Sequence, residues 1–478
     1  MSPLTRDAAA FVADLRIEDV PSDALRTVSL GFCDCVAVMM AAADAPAVRI
    51  LSDFHALEAS GSSARVLMSS HTTTARDAAL INGTAAHAHD FDDIGLGAHP
   101  AHPSAVLVPA ILALADELGS SGERMSLAYI AGYEVWGEIA LRDSDQYHTK
   151  GWHPTGTFGA VAAAAASASL LALNKVQTAA ALSIAASRAS GLISNYGSMT
   201  KPMHAGLAAQ AGLFAAQLAQ RGFTGGAQAI EHPQGLLQAL SPQGRVDADR
   251  PSQLGQRWNL IELPLGFKQY PVCYAAHRAI DAALALRDRV GEDLSRIRQI
   301  RVTIGEDQAK LLHIHEPMDA LQVKFSLEFG VADALVAGRL GLLELRDDFV
   351  RSPGVRALMS RITIQVDQSR DPVYKVFSPS DTVSLELEDG QVHQSEVRLA
   401  KGHPLSPLPV TDLRNKFEAC MTGWFEAEQI MAFFDALLHL QHLSGTRDLP
   451  RSTWQPGPLA AATSHCLPAT PNESNSRL

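Results

Sequence analysis

The chain of 478 residues is 47% hydrophobic and 19% charged, enough apolar material for a large core spread over two or three domains. Its 39 Lys+Arg stand against 51 Asp+Glu, and the net charge of -12 argues against nucleic acid and anionic membrane surfaces as partners. Aromatic residues make up only 6%, so closely packed helices built from small side chains are expected.

The cysteines, Cys33, Cys35, Cys273, Cys420 and Cys466, are few and odd in number, as expected for reduced thiols inside a cell. The segment Met1 to Asp7 has no basic stretch followed by an apolar core, and the apolar run Phe158 to Leu173 is Ala/Ser-rich and falls short of a membrane span. These features are read as those of a soluble cytoplasmic protein.

In chain order, apolar residues recur at helical spacing over Pro21–Ala43, Thr74–His89, Pro103–Leu118, Leu127–Leu141, Thr155–Leu173, Lys175–Ser190 and Pro202–Arg221. The pattern changes near residue 267. Ile297–Ile304, Ile362–Val366 and Val383–Leu387 alternate as strands do, and the turn Glu388–Gln391 leads into a further strand at Ser395–Leu399. Ser326–Ala337 and Ser352–Met359 read as helices between those strands. Helical spacing returns at Val410–Met421 and Glu426–Leu440. The expected fold is mainly α: a large all-helical domain (1–266 and 403–450) with an inserted smaller α+β lid domain (267–402). Residues 451–478, rich in Pro, Ser and Asn, read as a disordered tail.

Three times a basic side chain directly precedes a proline that opens a small-residue helical run: His102-Pro103, His153-Pro154 and Lys201-Pro202. Proline belongs in the first turn of a helix, so each pair places its His or Lys at a helix start, where free N–H groups and the dipole favour an anion. Phe267-Lys268-Gln269-Tyr270-Pro271 repeats the theme with the lysine slightly further back. If these starts converge, they form a receptor for a small polycarboxylate.

The densest polar constellation is His87-Ala88-His89-Asp90-Phe91-Asp92-Asp93, followed by His99, His102 and Ser104. His-x-His with clustered carboxylates is a common source of zinc or iron ligands. No second such cluster follows downstream, which argues against a metal. The metal-free alternative is α-proton abstraction by Asp or His, with lysines neutralising the substrate's carboxylates. A helix N-terminus disfavours imidazolium, which would keep His102 and His153 neutral and able to accept a proton.

Taken together, Asn82-Gly83-Thr84-Ala85-Ala86-His87-Ala88-His89-Asp90-Phe91-Asp92-Asp93, His102-Pro103-Ser104, Gly151-Trp152-His153-Pro154-Thr155-Gly156, Met199-Thr200-Lys201-Pro202-Met203-His204-Ala205-Gly206, Lys268-Gln269-Tyr270-Pro271 and Gly402-His403-Pro404-Leu405-Ser406-Pro407 resemble the MmgE/PrpD family. That family includes 2-methylcitrate dehydratase, cis-aconitate decarboxylase and iminodisuccinate epimerase. The resemblance implies a homodimer whose active site lies between helical body and lid and uses no metal or organic cofactor. It carries the family's active-site pattern onto Asp90, His102, His153, Lys201 and Lys268, with Ser104, Tyr270, His99 and His204 as substrate-binding candidates. The chain departs from the decarboxylase pattern at Ile94, where Thr is expected, and at Cys273, where a second lid histidine is expected, and the methylcitrate dehydratase branch differs around its first motif. The sequence reading is therefore a cofactor-independent lyase of hydro-lyase type acting on a small di- or tricarboxylate. An epimerase using the same carbanion and a non-catalytic polycarboxylate-binding homologue are the alternatives.

Overall fold

A computed structural model describes residues 3–56, 63–97, 99–291, 293–374 and 376–450. The tail read at 451–478, Cys466 included, lies outside the described residues. The architecture is mainly helical with a small mixed sheet towards the C-terminal end, as expected from the sequence.

The body is built from long helices whose small side chains let backbones approach. Helix Pro154–Leu170 is buried at nearly every position, so it has no solvent face and serves as a central strut. It packs on Thr200–Gln220, where a Cβ added to Gly212 would stand 2.4 Å from the Ala163 Cβ. Side-chain caps set several starts: Thr74 accepts from the Asp77 N–H, and Asn174 and Gln177 form a capping box. Among the described residues one helix, Ser22–Ala41, is long and apolar enough to cross a membrane. Here it is a core helix, with Val28, Phe32, Val36 and Met40 buried.

One hydrophobic core gathers residues from Leu4 to Phe267 and again from Leu413 to Leu449. A second gathers residues from Tyr270 to Leu387. The second is organised by a four-stranded sheet in the order Ile362–Asp367, Ile297–Gly305, Asp381–Leu387, Val392–Val397. The first pair is parallel, with Ile300 opposite Ile362, and the others are antiparallel. Asp381, Val383, Leu385 and Leu387 point inward while their neighbours do not, the alternation a one-sided sheet requires.

Among the described residues, three helices of eleven residues or more escaped the sequence reading, Leu4–Asp14, Pro46–Ala56 and His277–Val290, along with shorter ones such as Glu306–Leu311. His277–Val290 is crowded with Arg and Asp, and half of its buried stripe of Ala279, Ile280, Ala283 and Leu286 is alanine, a weak periodic signal. The fourth strand spans Val392–Val397 rather than Ser395–Leu399, because the tight turn Glu388–Gln391, with Gly390 in the left-handed region at φ 82°, brings Val392 straight into register opposite Glu386.

Candidate active site

Two glycines create the site at a distance. Helices Ala75–Ala88 and Thr200–Gln220 cross where a Cβ on Gly83 would stand 2.7 Å from the Gly206 Cα, and one on Gly206 would stand 2.2 Å from the Leu80 carbonyl oxygen. This contact tolerates no side chain, and it brings the C-terminal end of the first helix against the N-terminal end of the second. Asp90, just beyond the first, therefore meets Lys201 in the first turn of the second. Asp90 is held at φ 53°, in the left-handed region that Asp tolerates better than most residues. Strain of this kind costs on the order of 1–3 kcal/mol and persists only where the surroundings enforce it.

The surroundings here are cationic. The Lys201 ammonium donates to one carboxylate oxygen of Asp90 and the Lys268 ammonium to the other. Lys268 also donates to the Asp90 carbonyl at 2.8 Å. Burial pushes the Asp90 carboxyl up, but the two lysines outweigh it and hold the group well below the usual carboxylate range. Lys268 in turn, although fully buried, is raised by Asp90 and Asp92 against the opposing effect of burial, so it stays charged. Behind this triad Lys416 donates to Asp34 at 2.6 Å, to the Phe91 carbonyl at 2.6 Å and to the Lys268 carbonyl at 3.0 Å, bracing both strands of the loop.

Asp92 organises the histidines. His87 Nδ1 lies 2.9 Å and His102 Nδ1 3.0 Å from the same Asp92 oxygen, and His102 Nδ1 is also 2.8 Å from the Asp93 carbonyl. Every partner at these two Nδ1 atoms is an acceptor, so Nδ1 carries a proton in both rings and the neutral form of each has its lone pair on Nε2. The Nε2 of His87 is buried without a hydrogen bond. Burial, partly offset by Asp92, lowers the His87 imidazole to about 3, so it is neutral. Asp92 itself, pushed up by burial, is kept ionised by the ring N–H groups it accepts. His153, the N-cap of helix Pro154–Leu170, stacks on His87 with centroids 5.6 Å apart, and its Nδ1 lies 3.1 Å from Nδ1 of His204. One of that pair donates and the other accepts, so their tautomers are complementary. Burial drives both below the ordinary imidazole range, His204 to about 4, with Lys201 adding to the effect.

The structure thus brings Asp90, His102, His153, Lys201, Lys268 and His204 together and seats the other candidates elsewhere. Ser104 is buried behind the site, its Oγ 2.7 Å from the Tyr129 hydroxyl and its N–H directed to Asp93. The Tyr270 hydroxyl donates to Asp281 at 2.5 Å inside the lid. His99 Nε2 is 3.1 Å from the Asp143 carbonyl, and its ring packs on Tyr147 and Phe158. The helix-start idea also needs correction at two places. Lys201 lies within the helix beginning at Thr200, and Lys268 precedes no long helix, because Tyr270 stands before Pro271 and is biased to extended backbone.

Sequence reasoning set aside Asp92, left His87 unassigned, and missed Lys324. The first two sat in the visible acidic and histidine cluster. Lys324 gave no signal: it comes from the lid, is buried, and donates to the Ala88 carbonyl at 2.6 Å. His87, Asp90, Ser198, Lys201, Lys324 and Phe325 line a cavity with room for about one water molecule, too small for a larger ligand without rearrangement. Ile94 is buried in a short strand pair with Gly266, and the Cys273 N–H donates to the Lys324 carbonyl. Burial and Asp90 push the Cys273 thiol up, so it adds no charge.

One donor atom each from His87, Asp90 and His102 lies within 4.8 Å of the others, a spacing a metal ion could use. Both Asp90 oxygens already accept from ammonium groups, however, and a dication would face Lys201 and Lys268 at close range. The donor set suits an anion better than a cation.

Residues 6–249 match the MmgE/PrpD N-terminal domain and residues 270–440 the MmgE/PrpD C-terminal domain. The cis-aconitate decarboxylase of Mus musculus is 30% identical over 359 residues, covering 72% of this chain and 71% of the relative. The cis-aconitate decarboxylase-like protein oryM of Aspergillus oryzae is 26% identical over 479 residues, covering 93% and 96%. The cis-aconitate decarboxylase of Aspergillus terreus is 25% identical over 468 residues, covering 93% and 94%.

Proposed function

The chain belongs to the MmgE/PrpD family, and from that premise we propose that it is a cofactor-independent lyase of the hydro-lyase type acting on a small di- or tricarboxylate. The observation that carries the reading is His102: its Nδ1 is committed to Asp92 and the Asp93 carbonyl, which leaves Nε2 as a bare base beside the ammonium groups on Asp90. A substrate carboxylate bound by Lys201 and Lys268 would place an adjacent C–H near that lone pair. As the proton leaves, the enolate-like charge builds on the carboxylate, and the same lysines stabilise it in a buried, low-dielectric setting. The His153–His204 pair, neutral at rest, would serve as the acid for the departing hydroxyl once it has taken up a proton from solvent in the open cleft. Asp90, held ionised by its two lysines, serves as their anchor rather than as an acid. Replacing Lys201 by alanine is expected to raise the barrier by about 2.7–4 kcal/mol, the cost of one oxyanion donor. The homodimer implied by the family resemblance and the cytoplasmic location read from the sequence are part of the same proposal.

Decarboxylation is the second reading, favoured by the named activity of the relatives. It asks for a proton delivered to carbon, whereas His102 Nε2 is arranged to take one. Incubation with citrate-class hydroxy acids and their alkenes in D2O separates the possibilities. Alkene formation or hydration without CO2 supports the hydro-lyase. Release of CO2 supports the decarboxylase, and deuterium incorporation with inverted configuration and no alkene supports an epimerase.

A further inference from the structure

Lys324 is the ammonium group that the site chemistry above leaves unused. Its Nζ donates to the Ala88 carbonyl at the end of helix Ala75–Ala88, and among the described residues it makes no ion pair. The nearest carboxylate of the site, Asp90, is already saturated by Lys201 on one oxygen and Lys268 on the other. Asp92 is committed to His87 and His102. Lys201, Lys268 and Lys324 therefore face Asp90 and Asp92 with one positive charge in excess. The excess charge sits on the lid side of the cavity that Lys201 lines from the body. Burial, reinforced by Lys201 and Lys268 and opposed by Asp90 and Asp319, pulls the Lys324 ammonium down to about 8.

We infer that Lys324 is a substrate-binding residue: it leaves the Ala88 carbonyl when the lid opens and takes a second carboxylate of the ligand, whose first is held by Lys201 and Lys268. The inference rests on the polycarboxylate reading above and sharpens it. The ligand must carry two carboxylates far enough apart to reach from body to lid, and its binding closes the cleft. The lid discriminates by charge, so a substrate with one of those carboxylates blocked would still meet the His102 base but would bind weakly. The Ala88 contact supports a rival role, a purely structural clamp that favours the helix C-terminus, and the two roles respond differently to ligand charge.

The test is calorimetric titration of the full chain with glutarate and with its monoamide, which keeps a single carboxylate, using wild type, Lys324→Met and Lys324→Arg. Wild type is expected to bind glutarate about 10–100-fold more tightly than the monoamide, the range of one charged hydrogen bond. Lys324→Met should lose that discrimination, binding glutarate about 10–100-fold more weakly and the monoamide nearly as before. Lys324→Arg should keep it. If Lys324→Met weakens both probes by the same factor, or neither, Lys324 is a structural clamp and the inference falls alone. If wild type binds no polycarboxylate, the functional reading falls and takes this inference with it. Lys324→Gln substitutes if Lys324→Met does not fold.

Discussion

Replacing Asp90 by asparagine isolates the charge at the centre of the site, because Asn has the same shape and also tolerates the left-handed backbone at φ 53°. The side chains of Asp90, Lys201 and Lys268 are 2%, 6% and 0% exposed, so the substitution strands two ammonium groups in a setting where water cannot compensate them. Removing one partner of a buried ion pair costs about 3–5 kcal/mol. Asp90→Asn is expected to lose that much at pH 7, read as a lower urea midpoint at unchanged m-value. The sign of the pH dependence is fixed. A carboxyl whose folded pKa is depressed stabilises above its unfolded value, about 3.9, and that contribution is lost as pH falls through the folded value. The gap between wild type and Asp90→Asn should therefore close in acid. A second readout has the opposite direction. The freed lysines need an anion, so tricarballylate at a fixed concentration should raise the midpoint of Asp90→Asn more than that of wild type. Equal midpoints at pH 7 and equal gains from the ligand would refute the picture of Asp90 as the resident counter-ion of the lysines.

The other predictions concern single groups. Asp92→Asn removes the negative charge that the His87 and His102 N–H groups share and that would stabilise His102 as it takes a proton, while the Asp93 carbonyl still holds Nδ1. Turnover should fall by about 10²–10⁴ while binding of polycarboxylate persists, and a kcat within about threefold of wild type would remove His102 as the base. Tyr270→Phe breaks a hydrogen bond to Asp281 inside the lid, so stability should drop by about 1–2 kcal/mol with kcat/KM nearly unchanged. A raised KM at normal stability would instead put the hydroxyl on the substrate. Asp333 is buried in the lid with neither oxygen hydrogen-bonded, and burial lifts its carboxyl to about 8. A raised carboxyl penalises folding increasingly as pH climbs from its unfolded value, about 3.9, towards that figure. Asp333→Asn should therefore stabilise the protein, with a gain in urea midpoint that grows between those limits, and a gain independent of pH would exclude that origin.

Much of this protein is written locally. Helical spacing marks Ser22–Ala41 and Val410–Met421 without help from any partner, and alternation marks Asp381–Leu387, because burying one stripe or one face is a property of each segment alone. The residues of the site were legible for a related reason: His102, His153 and Lys201 sit beside prolines, and Asp90 sits in a dense polar run, both short-range signals. The meeting of those residues was not legible. It depends on the Gly83–Gly206 contact between helices more than a hundred residues apart in sequence, and on a lid that delivers Lys268 and Lys324 from still further along the chain. Composition and periodicity identify which residues can carry charge or accept protons. Only tertiary packing decides which of them lose their water together, and electrostatic interaction becomes strong enough for chemistry only where water is gone.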